Sequence, residues 1–213
     1  MARENTIWPT VKDSQVNNIQ YFRRGWDIKR GNADKPHAGE YYSALSSYRK
    51  TYDDFYYDED AMNCFRDIVQ DAKDNNVELV VFFNPISVDL QALQDVYGLS
   101  EEFYKIKRLV AEIHPVYDFC WVNKYTVNRV EWFYDASHFR NKYGQMCRDA
   151  MKGTDNGTVM YLTVNDVDES FEKEKTSFNE WKEHNYDYYR ALEKYSKDLN
   201  ADSRILAEYI GII

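Results

Sequence analysis

Hydrophobic and polar positions show no stable period over residues 1 to about 57, where polar and aromatic residues mix with the turn signals of "RRGWDIKRGNADKPHAGE". From Asp58 the pattern sharpens. Ala61, Phe65, Ile68 and Ala72, with Met62 and Val69, recur at three and four residues, which predicts one apolar face of a helix. "DNN" at 74–76 ends it, and "VELVVFF" (77–83) follows as a near-continuous β-branched and aromatic run. Such a run predicts a buried strand of parallel type, stopped by Asn84-Pro85. Ser87 then caps a helix carrying Leu90, Leu93, Val96 and Tyr97 and closed by Gly98. Ser100 caps another, with Glu101 and Glu102 in the first turn, where the helix dipole favours negative charge. Its apolar face is Phe103, Ile106, Leu109, Val110 and Ile113. Pro115 breaks the pattern, and "VYDFCWV" (116–122) reads as a second buried strand. A loop leads to "FYDASHF" (133–139), then a helix runs through Tyr143, Met146, Cys147, Ala150 and Met151 to Gly153.

Helix, strand, helix, strand, helix predicts an α/β layered sheet with parallel strands. Ligands in such sheets sit beyond the carboxyl ends of the strands, which is where Asp135 and His138 fall. The tail differs. "TVMYLTV" (158–164) predicts a short strand, and residues 167 to about 199 one long helical stretch. There Phe178, Leu192 and Leu199 mark one heptad position and Trp181, Tyr188 and Tyr195 another, with Asn185 interrupting the first. Such a helix packs across its own domain or against a second chain, so a homo-oligomer through it is an expectation. The chain thus divides into a poorly readable segment, 1–57, that packs on or completes the domain, an α/β core over 58–153, and a strand-and-helix extension over 154–213.

Composition narrows the possible functions. With 36 acidic against 27 basic residues the net charge is −9, the opposite of the clustered Lys and Arg that a nucleic-acid binder needs. No apolar run approaches the ~20 residues that span a bilayer, and no signal-peptide core opens the sequence. The compartment is not encoded. Cys64, Cys120 and Cys147 lie far apart without CxxC spacing, so each is expected to act as a small buried hydrophobe. The 19 Tyr, 11 Phe and 5 Trp fit amphipathic core edges with hydroxyls in water, or sugar-stacking walls. Asn156-Gly157-Thr158 matches a glycosylation sequon, a three-residue pattern of little weight.

"FYDASHF" holds the candidate chemistry. A serine hydroxyl needs a neutral imidazole to take its proton, and the imidazole needs a carboxylate to fix its tautomer. Asp135 and His138, three residues apart on a turn into a helix, can face one pocket in those roles. The same spacing fits a plain alternative, Asp135 capping the helix with His138 in its first turn. A metal reading has only Glu131 as a further nearby ligand, so neither metal nor cofactor is expected.

The run of helix, "VELVVFFNPIS", helix, "YDFCWVN", then "FYDASHF" and a helix resembles the carboxyl-terminal half of SGNH/GDSL-type hydrolases. The branch it looks most like is the envelope-associated one related to alginate acetylation and D-alanyl transfer proteins. Pro85 after the strand, Asp118 in "YDF" and the aromatic before the motif also look like that branch. The resemblance covers residues from about 58 to 152. It implies a three-layer, flavodoxin-like, mostly parallel sheet, here incomplete, and an Asp-x-x-His block supplying the Asp and His of a Ser-His-Asp triad. On this chain those are Asp135 and His138. It also implies a Gly-Asp-Ser nucleophile block and oxyanion-hole Gly and Asn blocks, none of which is clear. The nearest approach is Asp13-Ser14 in "VKDSQ", which lacks the glycine, so Ser14 is the candidate nucleophile.

Two functions follow as expectations. One is an ester hydrolase or O-acyl transferase-like domain acting on glycan or envelope-polymer esters, with a carbohydrate or small-molecule ester as substrate, either a fragment or inactive if the serine is missing. The other is a non-catalytic binding or assembly module.

Overall fold

The computed structural model describes residues 19–21, 27–29, 38–154, 156–198, 201, 206 and 209. The chain divides into two units, 1–34 and 35–213. In the first, β1 (Ile19–Tyr21) and β2 (Asp27–Lys29) form an antiparallel ladder in which Gln20 opposes Ile28. No pattern in the sequence had suggested strands there.

The second unit opens with α1 (Ala38–Asp53). Its period was hidden because its buried face, Tyr41, Leu45, Arg49 and Tyr52, mixes aliphatic with polar-tipped side chains. α2 (Glu59–Asp74) begins where expected, and the Asp58 carboxylate accepts the Asp60 N–H at 2.9 Å and the Ala61 N–H at 3.4 Å. Then come β3 (Val81–Phe83), α3 (Val88–Val96), α4 (Ser100–Ile113) and β4 (Val116–Asp118). The chain continues through α5 (Arg129–Trp132), α6 (Asn141–Met151), β5 (Met160–Leu162), α7 (Val167–His184) and α8 (Tyr186–Lys197). Gly98, at φ 72°, closes α3 in the left-handed conformation that glycine adopts without strain. Ser87 is the cap residue of α3 through its backbone alone. Ser100 is not a cap: it is the first residue of α4, and its hydroxyl donates to Asp95 at 3.1 Å.

The fold is α/β. Its main sheet has three strands in the order β3-β4-β5, parallel between β3 and β4 and antiparallel between β4 and β5, so it is mixed and open. Two expected buried strands come out shorter than their apolar runs, and β3 is not buried. Phe82 is 47% exposed, because β3 is the last strand of the order and only one of its faces meets the core. That core face, Val81, Val116 and Leu162 with Met62, Val110 and Phe171, brings α2, α4 and α7 against the sheet. A second cluster gathers Phe119, Phe133, Tyr143 and Cys147 around α6. A third, Tyr41, Leu45, Leu90, Leu93, Tyr188, Leu192 and Tyr195, joins α1, α3 and α8.

The expected single C-terminal helix is two helices. Asn185 ends α7 and starts α8, and its side-chain amide donates to the Trp181 carbonyl at 2.8 Å. Trp181, Tyr188, Leu192 and Tyr195 are buried in the chain's own core, while Leu199 lies outside the described residues. Buried tyrosines here are packing elements. Cys147 is buried as expected, but Cys64 is exposed on α2, since the core covers only part of that helix's apolar face. Among the described residues no helix is long and apolar enough to cross a membrane.

Two polar nodes sit inside these clusters. Asp89, fully buried, accepts Arg129 Nε at 2.6 Å and Nη2 at 2.7 Å, Tyr188 at 2.5 Å, and Tyr41. Lys107, 4% exposed, lies 2.8 Å from Asp118 and 2.8 Å from Glu174 and donates to the Cys120 carbonyl at 2.7 Å. Burial pulls the Lys107 ammonium down, but Asp118 and Glu174 together push it well up, so it stays charged. One cation then faces two carboxylates. Burial, reinforced by Asp118, lifts the Glu174 carboxyl to about 7 against the pull of Lys107, and burial also raises Asp118.

Removing one partner of the buried Asp89 pair leaves an uncompensated charge, so Arg129→Ala is expected to cost about 3–5 kcal/mol in urea denaturation. Glu174 gives a pH signature. Its folded value lies above its unfolded one, so its contribution is intact below the ordinary carboxylate range and lost as pH rises through about 7. The urea midpoint of the wild type should therefore fall between about pH 5 and pH 8. Glu174→Gln should flatten that slope while keeping an oxygen toward Lys107.

Candidate functional site

The segment after β3 and the loop before α6 meet beyond the carboxyl ends of the parallel strands. The Phe119 N–H, just past β4, donates to the Phe83 carbonyl at 3.2 Å, aligning the two strand ends. Four residues past β3, the Ser87 N–H donates to the Ala136 carbonyl at 3.0 Å, fastening "FYDASHF" to the start of α3. The loop is closed on itself by an antiparallel bridge between Phe133 and Phe139 and by the Tyr134 N–H on the His138 carbonyl at 2.8 Å. Arg140 clips its base: its N–H reaches the Trp132 carbonyl at 2.7 Å and its Nε the Phe133 carbonyl at 3.1 Å. Phe133 and Ala136 are fully buried, so the loop is pinned through its apolar residues and turns its polar ones outward. Gly144 lets α6 come close, because a Cβ there would lie 2.9 Å from the Phe139 ring.

Asp135 organises the outward side. Its Oδ1 accepts the Ser137 N–H at 2.8 Å, the His138 N–H at 2.9 Å and the Ser137 hydroxyl at 3.0 Å. Its Oδ2 lies 2.8 Å from His138 Nδ1. Burial pushes the Asp135 carboxyl up, but the Ser137 amide and the His138 ring and amide outweigh it, and the net value falls below the usual carboxylate range. An ionised carboxylate facing Nδ1 selects the tautomer with the proton there, which leaves Nε2 as the lone-pair nitrogen. The His138 side chain is 67% exposed. Asp135 and His138 are therefore brought together, as the spacing allowed. Asp135 ties the turn together, but it is not the helix cap of the plain alternative: α6 begins at Asn141 with Arg140 as its cap residue, so His138 lies in the loop ahead of the helix.

The remaining sequence candidates fall elsewhere. Ser14 lies outside the described residues. Ser137 Oγ is 3.1 Å from Nδ1, the nitrogen that Asp135 already holds, so it is not placed as a nucleophile for Nε2. Asp118 belongs to the Lys107 node. Glu131 accepts from Asn128 and Lys142 at 2.8 and 2.9 Å, and no group of three metal-ligating side chains occurs among the described residues. The sequon is a structural tie: the Asn156 amide donates to the Met146 carbonyl at 2.9 Å, and Thr158 is buried. What the sequence reading missed is the scaffold of the loop. The one visible signal was Arg129, a charge inside the half-apolar run "VNRVEWFY", which pairs with Asp89 and starts the segment that carries the loop.

No family model, curated protein or solved structure matches the chain.

Asp135 replaces several separate turn contacts with one carboxylate, so Asp135→Ala is expected to lower stability by about 1–2 kcal/mol in urea denaturation at neutral pH. Asp135→Asn should lose less, because an amide oxygen still accepts from the two loop N–H groups.

Proposed function

We propose that residues from about 58 to 152 form an SGNH hydrolase-like domain of the ester hydrolase or O-acyl transferase type, acting on glycan or envelope-polymer esters. In this reading the three-strand sheet is part of a three-layer, flavodoxin-like arrangement. The observation that carries it is the Asp135–His138 contact at 2.8 Å through Nδ1, on a loop fastened beyond the carboxyl end of β3.

The chemistry follows from that orientation. His138 Nε2 takes the proton of a serine hydroxyl as its oxygen attacks the ester carbonyl. Asp135 stabilises the imidazolium that forms. The imidazolium then protonates the departing alcohol, leaving an acyl-enzyme, and Nε2 next activates water or an acceptor hydroxyl to release the acyl group. Ser14 is the candidate nucleophile within this chain.

A second reading, a non-catalytic module for glycan binding or assembly, is favoured by the 67% exposure of the His138 side chain, since a working base is ordinarily shielded from bulk water.

A fluorophosphonate probe and p-nitrophenyl acetate turnover separate the two. On the catalytic reading the wild type is labelled, Ser14→Ala loses the label, and His138→Ala loses turnover by about 10²–10⁴-fold. Absence of labelling in the folded wild type would decide for the second reading.

A further inference from the structure

β3 is the end strand of its sheet, and among the described residues only β4 pairs with it. The Phe83 carbonyl is spent on the Phe119 N–H, so strand alternation turns the N–H and C=O of Phe82 to the open side. The approach to this edge is apolar: Val77, Val80 and Phe82 are 59%, 49% and 47% exposed. α2 adds to it from the other face of the sheet. Met62 and Val69 are buried against the core, whereas Ile68 is 55% exposed and shares a stripe with exposed Ala61 and Cys64. That stripe lies on the flank of α2 away from α4. The flank toward α4 is marked by Glu59 and Arg66, which pair at 2.9 Å close to Tyr57, whose ring lies under Lys105 of α4. Since α4 is tied to β4 through Lys107 and Asp118, the Ile68 flank lies on the side of the open edge.

The side chains of an added strand alternate between the Phe82 face and the Ile68 face. Apolar residues at every second position therefore cover Phe82, while the intervening ones reach α2, where long basic side chains lay their stems over Ile68. The rim decides what kind of strand. Asp60, Asp67 and Asp71 run along α2 beside the Ile68 stripe, and Glu78 precedes β3; all four are exposed and without an ion pair among the described residues. A second copy of the chain would bring these carboxylates against their own kind. A strand carrying lysine or arginine would neutralise them.

We propose that the open edge of β3, between Phe82 and the Ala61–Cys64–Ile68 stripe, docks an extended segment of another polypeptide in which apolar residues alternate with basic ones. Backbone hydrogen bonds to Phe82 supply the register, and the acidic rim supplies the preference for positive charge.

The test uses the full chain, amide hydrogen exchange at Phe82, and two short end-capped peptides, one alternating lysine with valine and one alternating glutamate with valine. The lysine peptide is expected to slow Phe82 exchange by about tenfold or more, less so as salt is raised. The glutamate peptide should not slow it. Phe82→Lys should abolish the effect with the circular dichroism spectrum unchanged, and the double variant Asp67→Lys, Asp71→Lys should weaken it without touching the core. Three results would overturn the proposal: equal protection by both peptides, no protection by the lysine peptide, or slow Phe82 exchange in the free chain. A protection that grows with chain concentration would assign the edge to a second copy and overturn it too.

Discussion

Burying the Asp89 carboxylate constrains much of the unit it sits in. A charge with no solvent exposure is tolerable only when its oxygens are filled with donors. Here those donors come from three other helices: Tyr41 on α1, Arg129 on α5 and Tyr188 on α8. The Arg129 guanidinium also lies 5.1 Å from the Tyr188 ring centroid, so the cation is held by a π face as well as by the carboxylate. A helix that drifted from this node would strip a donor from a buried charge. That is why α8 must turn away from α7 at Asn185: a straight continuation would serve α7's packing against α4 and β5, whereas the break lets Tyr188 and Leu192 reach α3.

The second node does for the sheet what the first does for the helices. Strands of three residues supply few ladder hydrogen bonds, and the Lys107 ammonium ties α4, β4 and α7 together across one face of them. The two nodes differ in charge balance. Asp89 and Arg129 cancel, while Lys107 faces two carboxylates, and burial, reinforced by Asp118, lifts Glu174 to about 7. Burial, with a second carboxylate beside it, makes the Glu174 proton part of the fold near neutrality.

The loop that carries Asp135 and His138 depends on the first node. Arg129 opens α5, and the chain then runs through buried Phe133 to Asp135; the Ser87 N–H, two residues before Asp89, holds the Ala136 carbonyl. Both ends of α3's first turn therefore bear on the placement of the imidazole. The His138 ring meets the Ser137 hydroxyl at 3.1 Å and the carboxylate of Asp135, which also shapes the turn. One side chain thus serves local folding and, in the proposed chemistry, the tautomer of the base.

Much of the second unit was legible along the chain. α2, α3, α4 and α6 announce themselves by apolar residues at three- and four-residue spacing, closed by Gly98 and Gly153, and the cores of β3, β4 and β5 by short β-branched and aromatic runs. The Asp135–His138 contact was legible too, because it joins residues three apart and is set by local backbone geometry. α1 was hidden by Arg49 and its tyrosines, whose polar ends look exposed until the chain supplies partners such as the Tyr195 carbonyl, 2.7 Å from the Arg49 guanidinium. The length of the strands, the exposure of Phe82, the break at Asn185 and the two polar nodes were decided only in three dimensions. Each depends on which distant side chain arrives, as with Asp89 and Tyr188, and hydrophobic pattern records that a residue prefers burial but not what will cover it.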